Sequence, residues 1–214
     1  MGKLNDSLLS GSYGRTGRLV VANVAGTEIL RIRPKKRTTA STPNQMIVQQ
    51  RMKLCYDFIS SYKAFAKKHF GVKVGMRSCY NLAITNLLNA FKIDFATLQI
   101  TPDYQEIFFA KGGLLAPVIT GLAAPAPGSF QIQWYNNSGS NPDRETDLAQ
   151  VLYVAEDNVR SVFIENMASR ADGLLDVQLA PNWQGKTVHV WLAFRSQDEL
   201  IASDSVYAGN VLIS

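Results

Sequence analysis

Long apolar runs are missing from this 214-residue chain. No stretch of about 18 apolar residues is present, which excludes a membrane-spanning helix. The uncharged segment 112–128 comes closest, but Pro117, Pro125 and Pro127 interrupt it. The first residues also lack the apolar core of a secretory signal. The sequence therefore predicts a protein of the cytoplasm, or of a particle assembled there, with no membrane partner.

Histidine and cysteine are scarce, with two of each. Neither His69 nor His189 has a cysteine or a carboxylate at the spacing that a metal site needs. The glycine-rich segment 11–17 does not lie between a strand and a helix, and it lacks the Lys-Ser/Thr ending of a phosphate-binding loop. No nucleophile elbow is present. We therefore predict no catalytic residues, no cofactor and no metal, and a protein that is not an enzyme.

Carboxylates concentrate in one loop, where Asp143, Glu145 and Asp147 surround Arg144. The neighbouring residues are Ser, Asn and Pro, a composition that predicts a solvated turn. An oxygen-lined calcium site is the alternative that these residue types leave open.

Positive charge is distributed unevenly along the chain. Residues 1–112 contain 17 Lys+Arg and 6 Asp+Glu, whereas residues 113–214 contain 5 and 11. The formal net charge of the whole chain is +5. Such asymmetry between two halves indicates a polyanion or an oppositely charged neighbour as the partner.

The N-terminal segment is predicted to be a glycine-rich arm followed by a β-ribbon. The runs 18–24 and 27–33 are rich in β-forming residues, and a tight turn at Ala25-Gly26 joins them. Because side chains alternate along a strand, Arg31 and Arg33 share one face of the second run. Apolar side chains occupy the other face.

Two helices follow the ribbon. The first is predicted over residues 42–69 and the second over about 76–91, and their short glycine-containing link predicts an antiparallel hairpin. The first helix carries an apolar stripe at helical spacing: Val48, Met52, Cys55, Ile59, Tyr62 and Ala66. Two short strands are predicted next, at 94–100 and 106–110.

From Gly112 onward, short apolar runs alternate with turn residues. Seven strands are predicted, at 116–122, 129–135, 149–155, 161–165, 174–179, 187–195 and 205–213. In the sixth strand Val188, Val190 and Leu192 alternate with His189 and Trp191. Seven short strands over about 100 residues are typical of an immunoglobulin-like sandwich.

The predicted fold class is an α+β N-terminal region, made of a β-ribbon and a two-helix hairpin, followed by an all-β immunoglobulin-like sandwich. Three segments are predicted: the basic arm and ribbon (1–41), the two-helix region with short strands (42–112) and the sandwich (113–214).

Cations in the ribbon have few local counter-charges. Five of them fall between Arg31 and Arg37, and Glu28 is the only acid between Asp6 and Asp57. Unbalanced cations repel one another unless a partner neutralises them. The predicted contact residues for a partner subunit or a nucleic acid are Arg15, Arg18, Arg31, Arg33, Lys35, Lys36, Arg37, Arg51 and Lys53.

Several short motifs occur together in this order. They are Gly2-Lys3, Gly14-Arg15-Thr16-Gly17, Leu19-Val20-Val21, Gly26, Ile32-Arg33-Pro34-Lys35-Lys36, Thr42, Gln45, Gln49-Gln50-Arg51-Met52-Lys53, Trp134, Asp147 and Ser205-Val206-Tyr207. As a set they resemble an uncharacterised family of the Bacteroidota, classed as a domain of unknown function. The resemblance implies a basic N-terminal region, a C-terminal immunoglobulin/fibronectin-III-like sandwich and a bacterial or phage setting. It supplies no catalytic residues, and Tyr13 and Arg15 depart from the family pattern, where small or lysine residues are expected.

Two functions fit these observations. The leading prediction is a non-enzymatic, self-assembling structural protein of a filament, a shell or a phage-like particle. In this homo-oligomer the basic arm and ribbon of one subunit contact the acidic sandwich of the next, head to tail. The alternative is sequence-nonspecific DNA or RNA binding by the same ribbon. An enzyme or a carbohydrate-binding sandwich would need an exposed Trp183 or Trp191.

Overall fold

The computed structural model describes residues 2–4, 9–24, 26–35, 38–139 and 141–214. They form two compact units. The N-terminal unit extends to Thr42 and includes Val74–Met76, and the second unit consists of Pro43–Lys73 and Arg77–Ser214. In the described part of the chain, no helix is long and apolar enough to cross a membrane.

A four-stranded antiparallel sheet forms the N-terminal unit, with the strand order β1-β4-β3-β2. Its strands are β1 (Gly2–Lys3), β2 (Gly14–Thr16), β3 (Leu19–Val24) and β4 (Thr27–Ile32). The aliphatic and β-branched residues of β3 and β4 favour this pairing. Gly26 has a φ of +83°, a left-handed conformation that glycine adopts without a steric penalty. Ala25, the other residue of the predicted turn, lies outside the described residues.

The first predicted helix is two helices in the structure, α1 (Pro43–Ile59) and α2 (Lys63–His69). Two serine hydroxyls lie at the break. Ser60 Oγ donates to the Asp57 carbonyl at 2.7 Å, and Ser61 Oγ lies 2.7 Å from Ser161 Oγ. Side-chain hydrogen bonds of this kind compete with the helical backbone pattern. The prediction of one continuous helix over 42–69 is therefore wrong.

Only part of the apolar stripe predicted for the first helix is buried. Cys55, Ile59 and Tyr62 are buried, whereas Val48 and Met52 are exposed. Helical periodicity in the sequence shows which face of a helix is apolar, but it does not show how much of that face is buried in a core. The N-terminal half of α1 therefore presents apolar side chains to solvent.

Helix α3 (Cys79–Ala90) is preceded by Ser78, whose Oγ accepts the Asn81 N–H at 3.3 Å. A hairpin of β5 (Phe91–Asp94) and β6 (Gln99–Pro102) follows the helix directly. The two short strands predicted in this region are therefore misplaced. Asp94 ends β5 because its carboxylate accepts the Ala96 N–H at 2.9 Å and so closes a local turn.

Two antiparallel sheets form the predicted sandwich, which is confirmed. One has the order β10-β9-β12-β13 and the other β11-β8-β7. The strands are β7 (Val118–Ala123), β8 (Ser129–Tyr135), β9 (Leu148–Ala155), β10 (Val162–Ser169), β11 (Leu174–Gln178), β12 (Thr187–Arg195) and β13 (Val206–Leu212). A short helix, α4 (Pro142–Glu145), precedes β9.

The helices pack against one face of the sandwich and form a hydrophobic core with it. A second core lies between the two sheets. Val190 and Leu192 of β12 belong to the inter-sheet cluster, whereas Trp191 and Ala193 belong to a cluster with residues of the helices. Strand β12 is thus buried on both faces. The predicted division between 42–112 and 113–214 does not coincide with the compact units, because the helices cover a face of the sandwich.

Gly112 shows why the chain is not a flexible linker at this point. A Cβ atom placed on Gly112 would lie 2.1 Å from the Ala202 carbonyl oxygen. The Gly112 N–H donates to Asp204 Oδ1 at 3.0 Å. Glycine is needed here because two backbone segments approach closely.

Candidate polyanion-binding surface

Register places three cations of the N-terminal sheet on one face. Arg15 on β2 pairs with Val20 on β3, and Val20 pairs with Arg31 on β4. Lys3 on β1 pairs with Ile29, which lies two residues before Arg31. Residues paired directly across an antiparallel sheet share a face, as do residues two apart along a strand. We call the face with Lys3, Arg15 and Arg31 the cationic face.

The opposite face carries aliphatic residues near one end of the β3–β4 pair. Leu19 pairs with Ile32, and Val21 pairs with Leu30. Ile32 is 74% exposed and ends β4, where it pairs with Leu19. Leu19 is also exposed, and two neighbouring exposed aliphatic side chains form an apolar patch that a partner can cover.

Among the residues that the structure describes in the N-terminal unit, none on the cationic face is a carboxylate. Glu28 is the only carboxylate among the described residues of the N-terminal unit. By register with Asn23 it lies on the opposite face, and its Oε1 accepts the Gly11 N–H at 2.8 Å. Within the described part of this unit, the cations of the cationic face therefore have no carboxylate beside them.

A concavity of about 690 Å³ lies at the end of the β3–β4 pair. Its lining combines three cations with apolar side chains: Gly17, Arg18, Leu19, Ile32, Arg33, Pro34 and Lys35. The Arg33 N–H donates to the Arg18 carbonyl at 2.7 Å, which extends the ladder past the strand ends and fixes these two residues side by side. We call this feature the basic concavity. Its chemistry suits an anionic partner that also carries an apolar group.

The nine predicted contact residues have different places in the structure. Arg15, Arg18, Arg31, Arg33 and Lys35 are exposed in the N-terminal unit. Lys36 and Arg37 lie outside the described residues.

Arg51 and Lys53 belong to α1, in the other unit. Arg51 is half-buried, and its Nη1 lies 3.4 Å from the Leu88 carbonyl, so part of its guanidinium serves packing against α3. Lys53 is exposed. The sequence analysis therefore grouped these two residues with the cations of the sheet, although the structure places them in different units.

Sequence reasoning missed Lys3 and the apolar residues of the basic concavity. Lys3 joins the cationic face only through the pairing of β1 with β4, which links residues far apart in the sequence. Leu19 and Ile32 are apolar strand residues of the kind that usually indicates a core. The alternation of charge along β4 was the one available signal.

The predicted solvated turn at 143–147 is wrong for Asp147, which is 2% exposed. Its Oδ2 accepts from Nη2 of the buried Arg170 at 2.9 Å and from Nε at 3.2 Å. Burial raises the pKa of Asp147, and the Arg170 donors oppose that shift. Among the described residues no group of three His, Cys, Asp or Glu side chains comes together as a metal site would require.

Arg170 is a buried centre of the sandwich. Its Nη2 also donates to the Leu115 carbonyl at 3.0 Å, and its Nη1 to Asn137 Oδ1. Its guanidinium lies 4.0 Å from the centre of the Phe194 ring. Each of the three guanidinium nitrogens donates a hydrogen bond. Arg170 is also buried, so it stabilises the sandwich and is not part of its surface.

Carboxylates outnumber cations on the surface of the sandwich. Two of its five basic residues, Arg170 and Arg195, are buried. Its exposed carboxylates are Asp143, Glu156, Asp157, Glu165, Asp172, Asp176, Asp198, Glu199 and Asp204. Negative charge therefore dominates the surface at which the head-to-tail hypothesis places the contact.

Neither tryptophan considered as a carbohydrate platform is exposed. Trp191 is fully buried, and its Nε1 donates to the Tyr104 carbonyl at 3.2 Å. Trp183 is half-buried and packs against the inter-sheet core, with its ring 5.1 Å from that of Tyr153.

Comparison with known proteins gives one family and two partial structural likenesses. The model of a family described as "Family of unknown function (DUF6266)" matches residues 11–209. Among curated proteins, none matches the chain. The fn3 domain of the human collagen alpha-1(XX) chain is 16% identical, with a TM-score of 0.36, covering 47% of this chain and 87% of its own. The fn3 domain of human contactin 1 is 11% identical, with a TM-score of 0.34, covering 49% of this chain and 82% of its own.

Proposed function

The chain belongs to the Family of unknown function (DUF6266), whose description names no activity, and we propose a function from the chemistry of its surfaces. It is a non-enzymatic, self-assembling structural protein in which the N-terminal sheet of one copy binds the acidic sandwich of the next. Repetition of this head-to-tail contact builds a ring or an open helical assembly. Its source in the Bacteroidota and its assembly in the cytoplasm stay predictions.

One observation carries the proposal: the cations of the sheet share a face that holds no described carboxylate of their own unit. Arg15 and Arg31 lie two strands apart, a separation of about 10 Å. Arg31 and Arg33 are about 7 Å apart along the chain. Exposed cations so close together repel one another, and an anionic surface that covers them removes the repulsion.

Apolar surface supports a protein as the occupant. Ile32 and Leu19 are exposed on the sheet unit, and exposed aliphatic side chains gain free energy when a partner removes them from water. A polyanion without apolar groups would neutralise the cations but leave these residues in water. The acidic sandwich of a second copy offers both kinds of surface.

Light scattering and analytical ultracentrifugation at low and high salt test the proposal. We expect oligomers at low salt that dissociate as salt rises, because exposed charges are screened beyond about 8–10 Å at moderate ionic strength. The double variant Arg31→Glu/Arg33→Glu should be monomeric under both conditions. A wild-type protein that is strictly monomeric at low and high salt contradicts the proposal.

A matched control is available on α2. Lys67 and Lys68 are exposed and lie in the other unit. The variant Lys67→Glu/Lys68→Glu changes the net charge by the same amount as the sheet variant, and we expect it to assemble like wild type. Equal loss of assembly in both variants would mean that net charge alone drives association.

Nucleic-acid binding is the second candidate, and the two-dimensional array of arginines on the sheet favours it. A sheet face with cations in neighbouring strands can contact several phosphates at once, and such binding is sequence-independent and weakens steeply with salt. A gel-shift assay with Arg31, Arg33, Lys35 and Lys36 changed to Glu tests this function. Unchanged binding would contradict it, and electron microscopy with and without nuclease shows whether assembly needs nucleic acid.

A further inference from the structure

The connection between β12 and β13 forms an acidic and apolar loop at residues 196–201. Leu200 is 75% exposed and Ile201 is 50% exposed. The two residues before them, Asp198 and Glu199, are also exposed. Two large aliphatic side chains next to two carboxylates offer a partner apolar surface and negative charge at the same place.

Hydrogen bonds hold this loop in one conformation. The Ser196 N–H donates to the Ile201 carbonyl at 2.9 Å, and the Ile201 N–H donates to Ser196 Oγ at 3.2 Å. The Leu200 N–H donates to Asp198 Oδ1 at 3.0 Å. Glu199 has a φ of +60°, an uncommon conformation for a residue with a side chain, and its Oε1 accepts from Nη2 of the buried Arg195 at 3.1 Å.

This order matters for recognition. Strained backbone persists where surrounding contacts determine it, and it occurs often at binding sites. A loop that is fixed before contact loses little conformational entropy when it binds. The exposed position of Leu200 is therefore a feature of the folded loop.

The basic concavity has the complementary chemistry. Arg18, Arg33 and Lys35 supply positive charge, and Leu19, Ile32 and Pro34 supply apolar surface. Its volume of about 690 Å³ admits several side chains of a loop. The two surfaces match in charge sign and in apolar character.

We propose that the acidic and apolar loop of one copy docks in the basic concavity of a second copy, with Leu200 against Leu19 and Ile32. Asp198 and Glu199 then face the cations of the concavity. This inference rests on the proposed self-assembly and specifies its contact. Because the two surfaces differ, the contact is heterologous and leaves a free loop and a free concavity at the two ends of each dimer.

Two variants separate the two halves of the contact. In the variant Arg33→Glu/Lys35→Glu the concavity repels the loop of another copy, but the loop of the variant is unchanged. In the variant Leu200→Lys the loop is repelled by the concavity of another copy, but the concavity of the variant is unchanged. Each variant alone should be monomeric, with self-association weakened by about ten- to hundredfold, the loss expected when the burial of a leucine is removed. Circular dichroism and urea midpoints should match wild type, because all three positions are exposed.

A mixture of the two variants gives the decisive result. The intact loop of the first should bind the intact concavity of the second, so sedimentation should show a 1:1 heterodimer that grows no further. Leu212→Lys is the matched control, since Leu212 is 63% exposed on β13 outside the loop, and it should assemble like wild type. Leu200→Ser, which adds no charge, should weaken assembly less than Leu200→Lys.

Failure of the inference differs from failure of the proposed function. A wild-type protein that never associates overturns both. A wild type that assembles, together with a Leu200→Lys variant that assembles equally well, overturns this contact and leaves head-to-tail assembly through another acidic surface. If neither variant associates alone and their mixture stays monomeric, the loop and the concavity do not bind each other.

Discussion

Replacement of Arg170 by methionine is expected to destabilise the second unit by about 3–5 kcal/mol. The structure gives the reason: the side chain is fully buried, and two of its nitrogens donate to Asp147 Oδ2 at 2.9 and 3.2 Å. Methionine fills similar space but donates no hydrogen bond. Asp147, which is 2% exposed, would remain as a buried carboxylate without its counter-ion.

Urea unfolding followed by tryptophan fluorescence measures this loss as a change in the free energy of unfolding. The double variant Arg170→Met/Asp147→Leu should recover part of the stability, because apolar residues in place of both charges leave no buried charge behind. The exposed pair Lys186–Asp157, with its charged atoms 3.0 Å apart, is the control. Lys186→Met should leave the free energy of unfolding nearly unchanged.

Two results would refute this reasoning. One is an Arg170→Met variant as stable as wild type, which would mean that the carboxylate is not held as a buried ion. The other is a double variant that loses the sum of the two single changes, because a coupled pair is non-additive.

Three further predictions concern pH, backbone contact and helix capping. Burial lowers the pKa of His69 and of His189 below the ordinary 6.5. The free energy of unfolding should therefore be highest above pH 6.5 and fall on acidification, because the unfolded chain takes up protons that the folded chain excludes. Urea unfolding at about pH 7 and about pH 5.5 measures this difference. Gly112→Ala should lower the melting temperature, because its Cβ would overlap a backbone carbonyl oxygen. Ser78→Ala should cost about 1 kcal/mol through loss of a helix cap, measured by urea unfolding.

Each of these predictions has a control. Variants with glutamine at both histidine positions should flatten the pH dependence, and an unchanged slope would assign it to other groups. Gly113→Ala is the partner of Gly112→Ala, since a Cβ at Gly113 meets nothing within 4 Å and should be tolerated. Equal effects at Gly112 and Gly113 would contradict the close-approach argument. For the cap, Ser78→Asp should retain stability because aspartate also accepts the backbone N–H.

Local pattern was sufficient to predict the strands of the sandwich. Alternation of apolar and polar residues in β8, between Phe130 and Trp134, corresponds to the strand that the structure contains. The same alternation in β12 suggested one buried face, yet His189 and Trp191 are buried as well. Period-two alternation reports side-chain direction along a strand, and it does not report which layer covers each face.

Helix ends and helix coverage depended on contacts that periodicity does not encode. The break after α1 involves Ser161, a residue 100 positions later in the sequence. The burial of Asp147 depends in the same way on Arg170, which reaches it from the segment after β10. A carboxylate in a polar loop cannot be distinguished from a buried ion until its partner is known.

The sequence by itself determined the separation of charge and the alternation that places Arg31 and Arg33 together, because both are properties of neighbouring residues. Only the tertiary structure decided that Lys3 and Arg15 join them, since strand register sets which distant residues share a face. It also decided that Arg170 and Asp147 are buried together as an ion pair and so are not part of the surface of the sandwich. Charge is fixed by the chain, whereas its position relative to solvent is fixed by long-range packing.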